Sequence, residues 1–319
     1  MRSRSLPLVV LAATGLLLTA CTSPSEGSDS GAPEETIEIT TPVGSEISAP
    51  AEPQAALGFY TTDVDILATL GFSLAGTQPI RDDYTAFPDF FPAEVKALET
   101  FGNFPEYSLE AVLAAEPDFI LNGLGYEEDL DGELQKIAPT YTYNAFDGSD
   151  WRDSVTQAAR DLGCEDRWQQ WVDAYDARIA DIRARLDDAG IDPVVADLAW
   201  YESQATAQYR GVPCLVFADL GLRIAPITNA GEDGLPSGDA TPLSTEQLGR
   251  LDGIDVVFSV QRDGAVVVEQ DAALQQNALW TSLPFVQEDR IHGYDIEMTF
   301  GSPSGQDAFL TLVEQTLLG

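Results

Sequence analysis

The chain has 319 residues and carries 53 acidic against 16 basic side chains, a formal net charge of −37 at pH 7. Its hydrophobic fraction of 44% is enough for the cores of two α/β lobes of ordinary size. So strong a negative field argues against nucleic acid and anionic membrane surfaces as partners, and it favours neutral or cationic ligands. A general need for solubility, or a high-salt habitat, would give the same composition.

Residues 1–20 have the pattern of a secretory signal peptide. Arg2 and Arg4 form a charged start, and the apolar run from 6 to 18 is too short to span a bilayer as a mature helix. The run ends in Leu-Thr-Ala-Cys at 18–21, which resembles the lipobox of bacterial lipoproteins and implies lipidation of Cys21. An ordinary secretory signal is the alternative. Residues 21–56 are rich in Ser, Pro, Gly, Thr and Glu, so we expect a flexible tether there.

Strand and helix patterns alternate over residues 57–150, which predicts an N-terminal lobe with a parallel sheet. In chain order we expect a strand ending at Gly58, a helix over 64–70 and a strand beginning at Leu74. A long loop over 78–106, crowded with aromatic residues, comes next. A helix around 127–137 and a strand over 140–143 complete the lobe.

A short module occurs twice in the chain. Ser108 and Glu110 begin the first copy, and Ser244 and Glu246 begin the second. Each is followed by a helical stretch, an Asp and an apolar run. The serine hydroxyl can accept a helix N–H and the glutamate faces the positive helix end, while the apolar run is typical of a buried parallel strand. The repeat therefore indicates two similar lobes.

Residues 151–190 show helical periodicity, with apolar residues spaced 3, 4, 4, 3 and 4 apart: Trp168, Trp171, Tyr175, Ile179, Ile182 and Leu186. This spacing predicts one long connecting helix whose apolar stripe covers about 27 Å. We expect Gly163 to interrupt the helix before it and Gly190 to end it. A second alternating lobe over 191–319 follows, beginning with a strand at 194–200 and ending in a helix around 306–318.

Several stretches of the sequence match one known family. They are residues 60–71, 104–121, 125–126, 243–259, 277–286 and 290–301, including Leu-Trp-x-x-Leu-Pro-Phe-Val at 279–286. In these stretches the chain resembles the substrate-binding lipoproteins of iron–siderophore ABC importers, a group that also includes cobalamin and haem binders. The resemblance implies two Rossmann-like α/β lobes with mostly parallel sheets, joined by one long rigid helix, with the ligand in the cleft between them. It also implies a monomer that carries iron only as a siderophore complex and has no cofactor.

The resemblance gives Glu110 and Glu246 a second role beside that of helix-start acids. In this family the glutamate of each module lies on the lobe surface that faces the permease, where it pairs with arginines of the two permease subunits. One carboxylate on each lobe would let a two-fold permease contact both lobes at once.

Ligand pockets lie at the carboxyl ends of parallel strands and between lobes, and in this sequence those places are aromatic. Aromatic walls supply contact area at little entropic cost, and scarce arginines could bind the oxygens of a chelate. The candidate ligand residues are Tyr60, Arg81, Tyr84, Tyr126, Trp200, Tyr201, Arg210, Met298 and Phe300. Core packing is expected instead for Trp280, and for Tyr84 and Phe87 a position covering a lobe edge is an equal alternative. For the two arginines, surface pairing with acids is an equal alternative.

The ligand class follows from charge. Catecholate complexes are anionic, and binders of this family that take them gather several basic residues in the cleft. This chain has few basic residues to gather, so a neutral or cationic hydroxamate-type ferric siderophore is preferred. Gly102, Asn103 and Phe104 stand where hydroxamate binders of the family often place an arginine. A direct metal site is not expected because His292 is the only histidine. Haem or cobalamin stays open; haem would need an axial ligand such as Met298 or Tyr126.

Two other classes of protein fit the sequence less well. An extracytoplasmic hydrolase is disfavoured, since the Gly301–Gly305 segment has Pro303 where a nucleophile elbow needs its reactive serine; the chain is therefore not expected to be an enzyme. An adhesive or structural lipoprotein would bind no small molecule. Cys164 and Cys214 could form a disulfide in an oxidising compartment.

Overall fold

The computed structural model describes residues 35–319, with gaps at 128, 202–203, 209–210, 226–241 and 263–264. The signal peptide, the lipidation site Cys21 and the candidate Arg210 lie outside the described residues. For Tyr201 only the backbone is described. Among the described residues, no helix combines the length and the apolar character needed to cross a membrane.

The N-terminal lobe is built on parallel strands, as predicted. The strands are β1 Thr36–Thr40, β2 Glu46–Pro50, β3 Ala56–Gly58, β4 Thr77–Arg81, β5 Glu99–Phe104, β6 Phe119–Asn122 and β7 Thr140–Thr142; the helices are α1 Thr61–Thr69, α2 Ala93–Lys96, α3 Leu109–Ala114 and α4 Leu130–Leu134. One sheet has the order β3-β6-β7, and β4 pairs in parallel with β5. The buried Gln78 side chain links the two sheets, because it accepts from Gly58 N at 3.1 Å and donates to Ala56 O at 2.9 Å.

Two sequence expectations for this lobe are wrong. The predicted tether over 21–56 contains an antiparallel hairpin, β1 with β2, whose Ile39, Ile47 and Ala49 are buried in the main core. Alternate apolar residues in both strands give the hairpin one face to bury. The predicted loop over 78–106 contains most of β4, all of β5 and the short helix α2. Its aromatics Phe87 and Phe91 pack with Ile80 and Val95 in a small core of their own.

The connecting segment consists of two helices, α5 Trp151–Asp161 and α6 Glu165–Ala189. Gly163, at a φ of +70°, separates them, and Gly190, at +67°, ends α6 in the left-handed conformation that glycine adopts at little cost. The 25 residues of α6 span about 37 Å. The apolar stripe predicted from spacing is the buried face of this helix, except that Trp171 is half-buried.

The described strands of the C-terminal lobe are β8 Val194–Tyr201, β9 Gln204–Gln208, β10 Arg223–Ile224, β11 Val256–Arg262, β12 Ala265–Val266 and β13 Ile291–Asp295. Four of these strands are parallel, in the order β10-β8-β11-β13, while β9 is antiparallel to β8 and β12 is antiparallel to β11. The helices are α7 Val212–Leu220, α8 Val267–Gln270, α9 Ala272–Gln275, α10 Ala278–Thr281, α11 Pro284–Gln287 and α12 Pro303–Leu318, with 3-10 helices at Thr245–Leu251 and Ile296–Thr299. Trp280 is fully buried, as predicted.

Candidate ligand-binding cleft

A row of aromatic side chains crosses from one lobe to the other. Tyr60 lies between Phe104 and Phe300, with ring centroids 5.4 and 5.9 Å away, both edge-on. Phe300 in turn contacts Phe146 at 6.1 Å, and Phe146 contacts Tyr126 at 5.5 Å. We call these five residues the aromatic row. It brings together three of the predicted ligand residues, Tyr60, Tyr126 and Phe300.

Two glycines next to the aromatic row allow close backbone packing. A Cβ at Gly125 would lie 2.6 Å from the backbone oxygen of Tyr143, so only glycine lets the turn before Tyr126 approach the strand so closely. Gly301, which follows Phe300, has a φ of +86°, and a Cβ there would lie 2.5 Å from Trp151. Tyr126 and Phe146 are 45% and 47% exposed, so the row ends at an open, apolar mouth.

A polar network lies beside Tyr60. Its hydroxyl donates to Oε1 of Glu297 at 2.9 Å, and Arg81 Nε lies 3.4 Å from the same oxygen. The Arg81 guanidinium also pairs with Asp83 at 3.0 Å and lies 5.4 Å from the centre of the Phe104 ring. Arg81, a predicted ligand residue, is therefore already bound by two carboxylates in the N- and C-terminal lobes.

Two further contacts join the lobes. The Tyr84 hydroxyl donates to Oδ1 of Asp295 at 2.6 Å. On the other side, Ser304 donates to the fully buried Asp65 from both its backbone nitrogen and its hydroxyl, each at 2.7 Å. Tyr84 therefore lies where the two lobes meet, and its role toward a ligand stays a prediction.

Burial controls the protonation of this network. Desolvation raises the pKa of Glu297 to about 7, although the Tyr60 hydroxyl and the Arg81 charge both act to lower it. The pKa of Tyr60 is raised well above its usual range, mainly by burial and also by the Glu297 charge. Tyr60 is therefore a hydrogen-bond donor at any physiological pH.

A cavity of about 720 Å³ adjoins the aromatic row on the C-terminal side, where β8, β11 and β13 end. This size lies in the range of small-molecule pockets. Phe146 and Phe300 belong both to the row and to the cavity wall, so the two form one continuous cleft. Most of the other lining residues are apolar, among them Trp151, Ala199, Trp200, Val212, Leu215 and Ile296.

Two predicted ligand residues differ in their position relative to the cavity. Trp200 lines it, and its indole Nε1 is fixed by a 2.7 Å hydrogen bond to Asp271. Met298 does not line it; the side chain is half-buried and packs against the main core. The sequence placed Met298 near the end of a strand, but the 3-10 helix at Ile296–Thr299 turns its side chain into the protein.

Asp197 is a cavity residue that the sequence interpretation missed. It lies in the middle of β8 and is only 3% exposed, and its Oδ1 accepts from the Tyr294 hydroxyl at 2.7 Å. Burial raises its pKa to about 7. The signal was available, since an Asp within the apolar run Val-Val-Ala-Asp-Leu-Ala at 194–199 is unusual for a buried strand.

The two repeated glutamates are both exposed, Glu110 in α3 and Glu246 in the 3-10 helix at Thr245–Leu251. The proposed role of the serines as caps is only partly correct. Ser108 occupies the N-cap position but its side chain makes no capping hydrogen bond. At the second copy, Ser244 and Gln247 form a capping box, in which the Gln247 side chain accepts from the Ser244 backbone nitrogen at 3.1 Å.

The cysteines are not joined: Cys164 and Cys214 form no disulfide. Cys164 lies at the start of α6, while Cys214 lies in α7 and lines the cavity. Burial raises the pKa of both thiols. Within the described ranges, no group of three or more His, Cys, Asp or Glu side chains is arranged to hold a metal ion.

Two proteins of Bacillus subtilis are similar to this chain over most of its length. The chain is 22% identical over 288 residues to the probable siderophore-binding lipoprotein YfiY of Bacillus subtilis, covering 88% of this chain and 87% of that one. It is 21% identical over 307 residues to the iron(3+)-hydroxamate-binding protein FhuD of the same organism, covering 94% and 93%.

Solved structures share the fold. The FhuD protein from S. pseudintermedius superposes with a TM-score of 0.66 at 19% identity, over 89% of this chain and 99% of that one. Staphylococcus aureus SirA complexed with staphyloferrin B gives 0.65 at 20% identity, over 88% and 97%. Residues 59–297 match the periplasmic binding protein family, and this range covers most of both lobes and the helices between them. The chain therefore belongs to the periplasmic binding protein family, as its motifs indicated.

Proposed function

We propose that this protein captures a ferric siderophore on the outer face of the cell membrane and delivers it to an ABC importer. The observation that carries the proposal is the continuous cleft formed by the aromatic row and the cavity of about 720 Å³. Relatives named for binding siderophores and iron(3+)-hydroxamate cover nearly the whole chain. The protein acts by binding and release, with iron as cargo and no resident cofactor.

The charges of the cleft favour a neutral or cationic complex of the hydroxamate type. Arg81 already pairs with the carboxylates of Asp83 and Glu297, and a third carboxylate, that of Asp295, accepts from the Tyr84 hydroxyl. A tri-anionic catecholate complex would meet this acidic wall with little cationic compensation from the described residues. A hydroxamate complex avoids that repulsion and can use the aromatic row for contact area.

Titration of the purified full chain with ferric siderophores, followed by tryptophan fluorescence, tests this proposal. Trp151 and Trp200 line the cavity, so a coloured ferric complex bound there should quench their emission. We expect micromolar or tighter binding of a ferric trihydroxamate such as ferrioxamine B. Haem, cobalamin and a ferric catecholate form the comparison panel, and tight binding of one of these alone would replace the proposed ligand.

Two alanine variants test whether the aromatic row contacts the ligand. Tyr126→Ala removes an exposed aromatic side chain from the mouth and should weaken binding by about tenfold, since an aromatic contact contributes on the order of 1 kcal/mol or more. Leu279→Ala removes an exposed apolar side chain of α10 and should leave binding unchanged. Equal affinities of the two variants and the parent chain would exclude the mouth as the binding site.

Delivery to the permease is proposed to use Glu110 and Glu246. Both are exposed, and each lies in the first turn of a helix that precedes a buried strand of its own lobe. Two carboxylates held on separate lobes suit a permease of two similar subunits. The anchor is proposed to be lipid on Cys21, in line with relatives whose names describe them as lipoproteins.

A further inference from the structure

Asp197 is an acid in an environment that does not stabilise its charge. Its side chain is 3% exposed, and among the described residues its hydrogen-bond donor is the Tyr294 hydroxyl. No described lysine, arginine or histidine lies within salt-bridge distance of it. A buried carboxylate without a cationic partner is costly, and such groups in a cleft are candidates for a binding role.

The surroundings of Asp197 are shaped for an apolar chain. It lines the cavity together with Ala199 of the same strand and with Val212 and Leu215 of α7. The other lining acid, Asp150, already pairs with Arg152, at 2.9 Å between Oδ2 and Nε. Arg262 also lines the cavity, but its side chain is exposed. Asp197 is therefore the buried acidic group of an otherwise mostly apolar wall.

The cavity also connects to the proposed chelate site. Phe146 and Phe300 form part of its wall and of the aromatic row. A ligand whose ferric centre rests against the row could extend a flexible alkyl arm into the cavity without leaving the cleft. Only an arm that ends in a hydrogen-bond donor, and best in a cation, would satisfy the carboxylate.

We infer that Asp197 forms a subsite for the pendant alkylammonium group of a cationic siderophore complex. The inference rests on the proposed function and narrows it, because it separates two ligands with the same iron centre. The ammonium would bind the carboxylate oxygens of Asp197 while the Tyr294 hydroxyl continues to donate to Oδ1. The alkyl arm would contact the apolar side chains of β8 and α7.

The test compares ferrioxamine B, which has a free terminal amine, with its N-acetylated form, which has the same ferric trihydroxamate but no cation. The full chain should bind the amine form about tenfold or more tightly than the acetylated form. Asp197→Asn should abolish this preference, because the amide keeps an acceptor for Tyr294 but carries no charge. Asp188→Asn removes the same charge from an exposed position on α6 and should keep the preference.

The salt dependence of binding distinguishes a direct contact with Asp197 from attraction by the net negative charge of the protein. At about 1 M salt the screening length falls to about 3 Å, so a preference caused by long-range attraction would vanish while a contact with Asp197 would persist. Equal binding of the two ferrioxamines by the parent chain, or a preference that survives in the folded Asp197→Asn variant, would overturn the subsite. Failure to bind either ferric complex would instead contradict the proposed function on which it rests.

Discussion

Four buried carboxyl groups have pKa values raised by desolvation: Asp63 to about 7, Asp65 to about 6, Asp197 to about 7 and Glu297 to about 7. Each still has hydrogen-bond donors, such as the Tyr143 hydroxyl and two backbone nitrogens at Asp63. These donors reduce the cost of ionisation but do not remove it. The folded protein therefore retains protons on these groups at a pH where the unfolded chain has lost them.

This difference predicts that the protein is more stable at pH 5 than at pH 8. Because the folded pKa values are raised, the stabilisation is complete below about pH 4 and is lost as the pH rises through about 6 to 7. Thermal unfolding at several pH values measures it. A melting temperature that rises from pH 5 to pH 8 would show that the raised pKa values of these carboxyl groups do not control stability.

The Asp197→Asn variant measures how much one of these carboxyl groups contributes to the pH dependence of stability. The variant should be on the order of 1–3 kcal/mol more stable than the parent chain at pH 8 and nearly equal to it at pH 5, because the amide cannot ionise. Asp188→Asn, on the exposed surface, controls for the change in net charge and should shift stability by about 0.5 kcal/mol or less at either pH.

At the scale of single elements, stacked aromatic rings stabilise the packing of α6 against α5. Trp168 and Trp171 stack with centroids 4.9 Å apart, and Trp171 stacks on Tyr175 at 5.2 Å. Trp151 of α5 meets both tryptophans edge-on, and the Trp168 indole donates to Thr156 at 2.8 Å. The angle between α5 and α6 is therefore set by aromatic packing as well as by the break at Gly163.

Truncating the stack should destabilise the whole chain. Trp168→Ala is expected to cost about 3–5 kcal/mol, since it removes a nearly buried indole and leaves a cavity. Trp168→Phe should cost less, because the ring remains and only part of the stack and one hydrogen bond are lost. Urea unfolding measures both, with exposed Gln169→Ala as the control. A cost below about 1 kcal/mol for Trp168→Ala would show that the stack is not structural.

Helices and strands could be predicted from the sequence where their hydrophobic pattern is regular. The periodicity of α6 and the alternation of strands and helices were sufficient to predict the architecture, because both arise from local burial. The hairpin at residues 36–50 was missed, since its composition is polar and only Ile39, Ile47 and Ala49 carry the buried face. At the site, Tyr60, Tyr126 and Phe300 were predicted, whereas their contacts depend on tertiary geometry that no local pattern records. The partners Glu297 and Asp295 were missed for this reason.

At the scale of the whole molecule, the repeated module gives each lobe one exposed glutamate. The double variant Glu110→Ala, Glu246→Ala should reduce uptake of the ferric complex by about tenfold or more, because charged contacts at an interface govern docking. Ligand affinity, measured separately by fluorescence, should not change, since neither residue lines the cavity.

The matched control for docking is Asp176→Ala, Asp188→Ala, which removes two exposed acids from α6 and changes the net charge equally. We expect normal uptake from this variant. If the glutamate variant also transports normally, or if both variants lose uptake to the same extent, docking does not depend on Glu110 and Glu246.

The hydrogen bonds between the lobes affect how fast a ligand can bind. Three hydrogen bonds each join a group of the N-terminal lobe to a group of the C-terminal lobe: Tyr60 to Glu297, Tyr84 to Asp295 and Ser304 to Asp65. A cleft held in this way loses little conformational entropy when a ligand enters. Association of a ligand should then follow a single kinetic phase, and the filled and empty forms of the protein should differ little in shape.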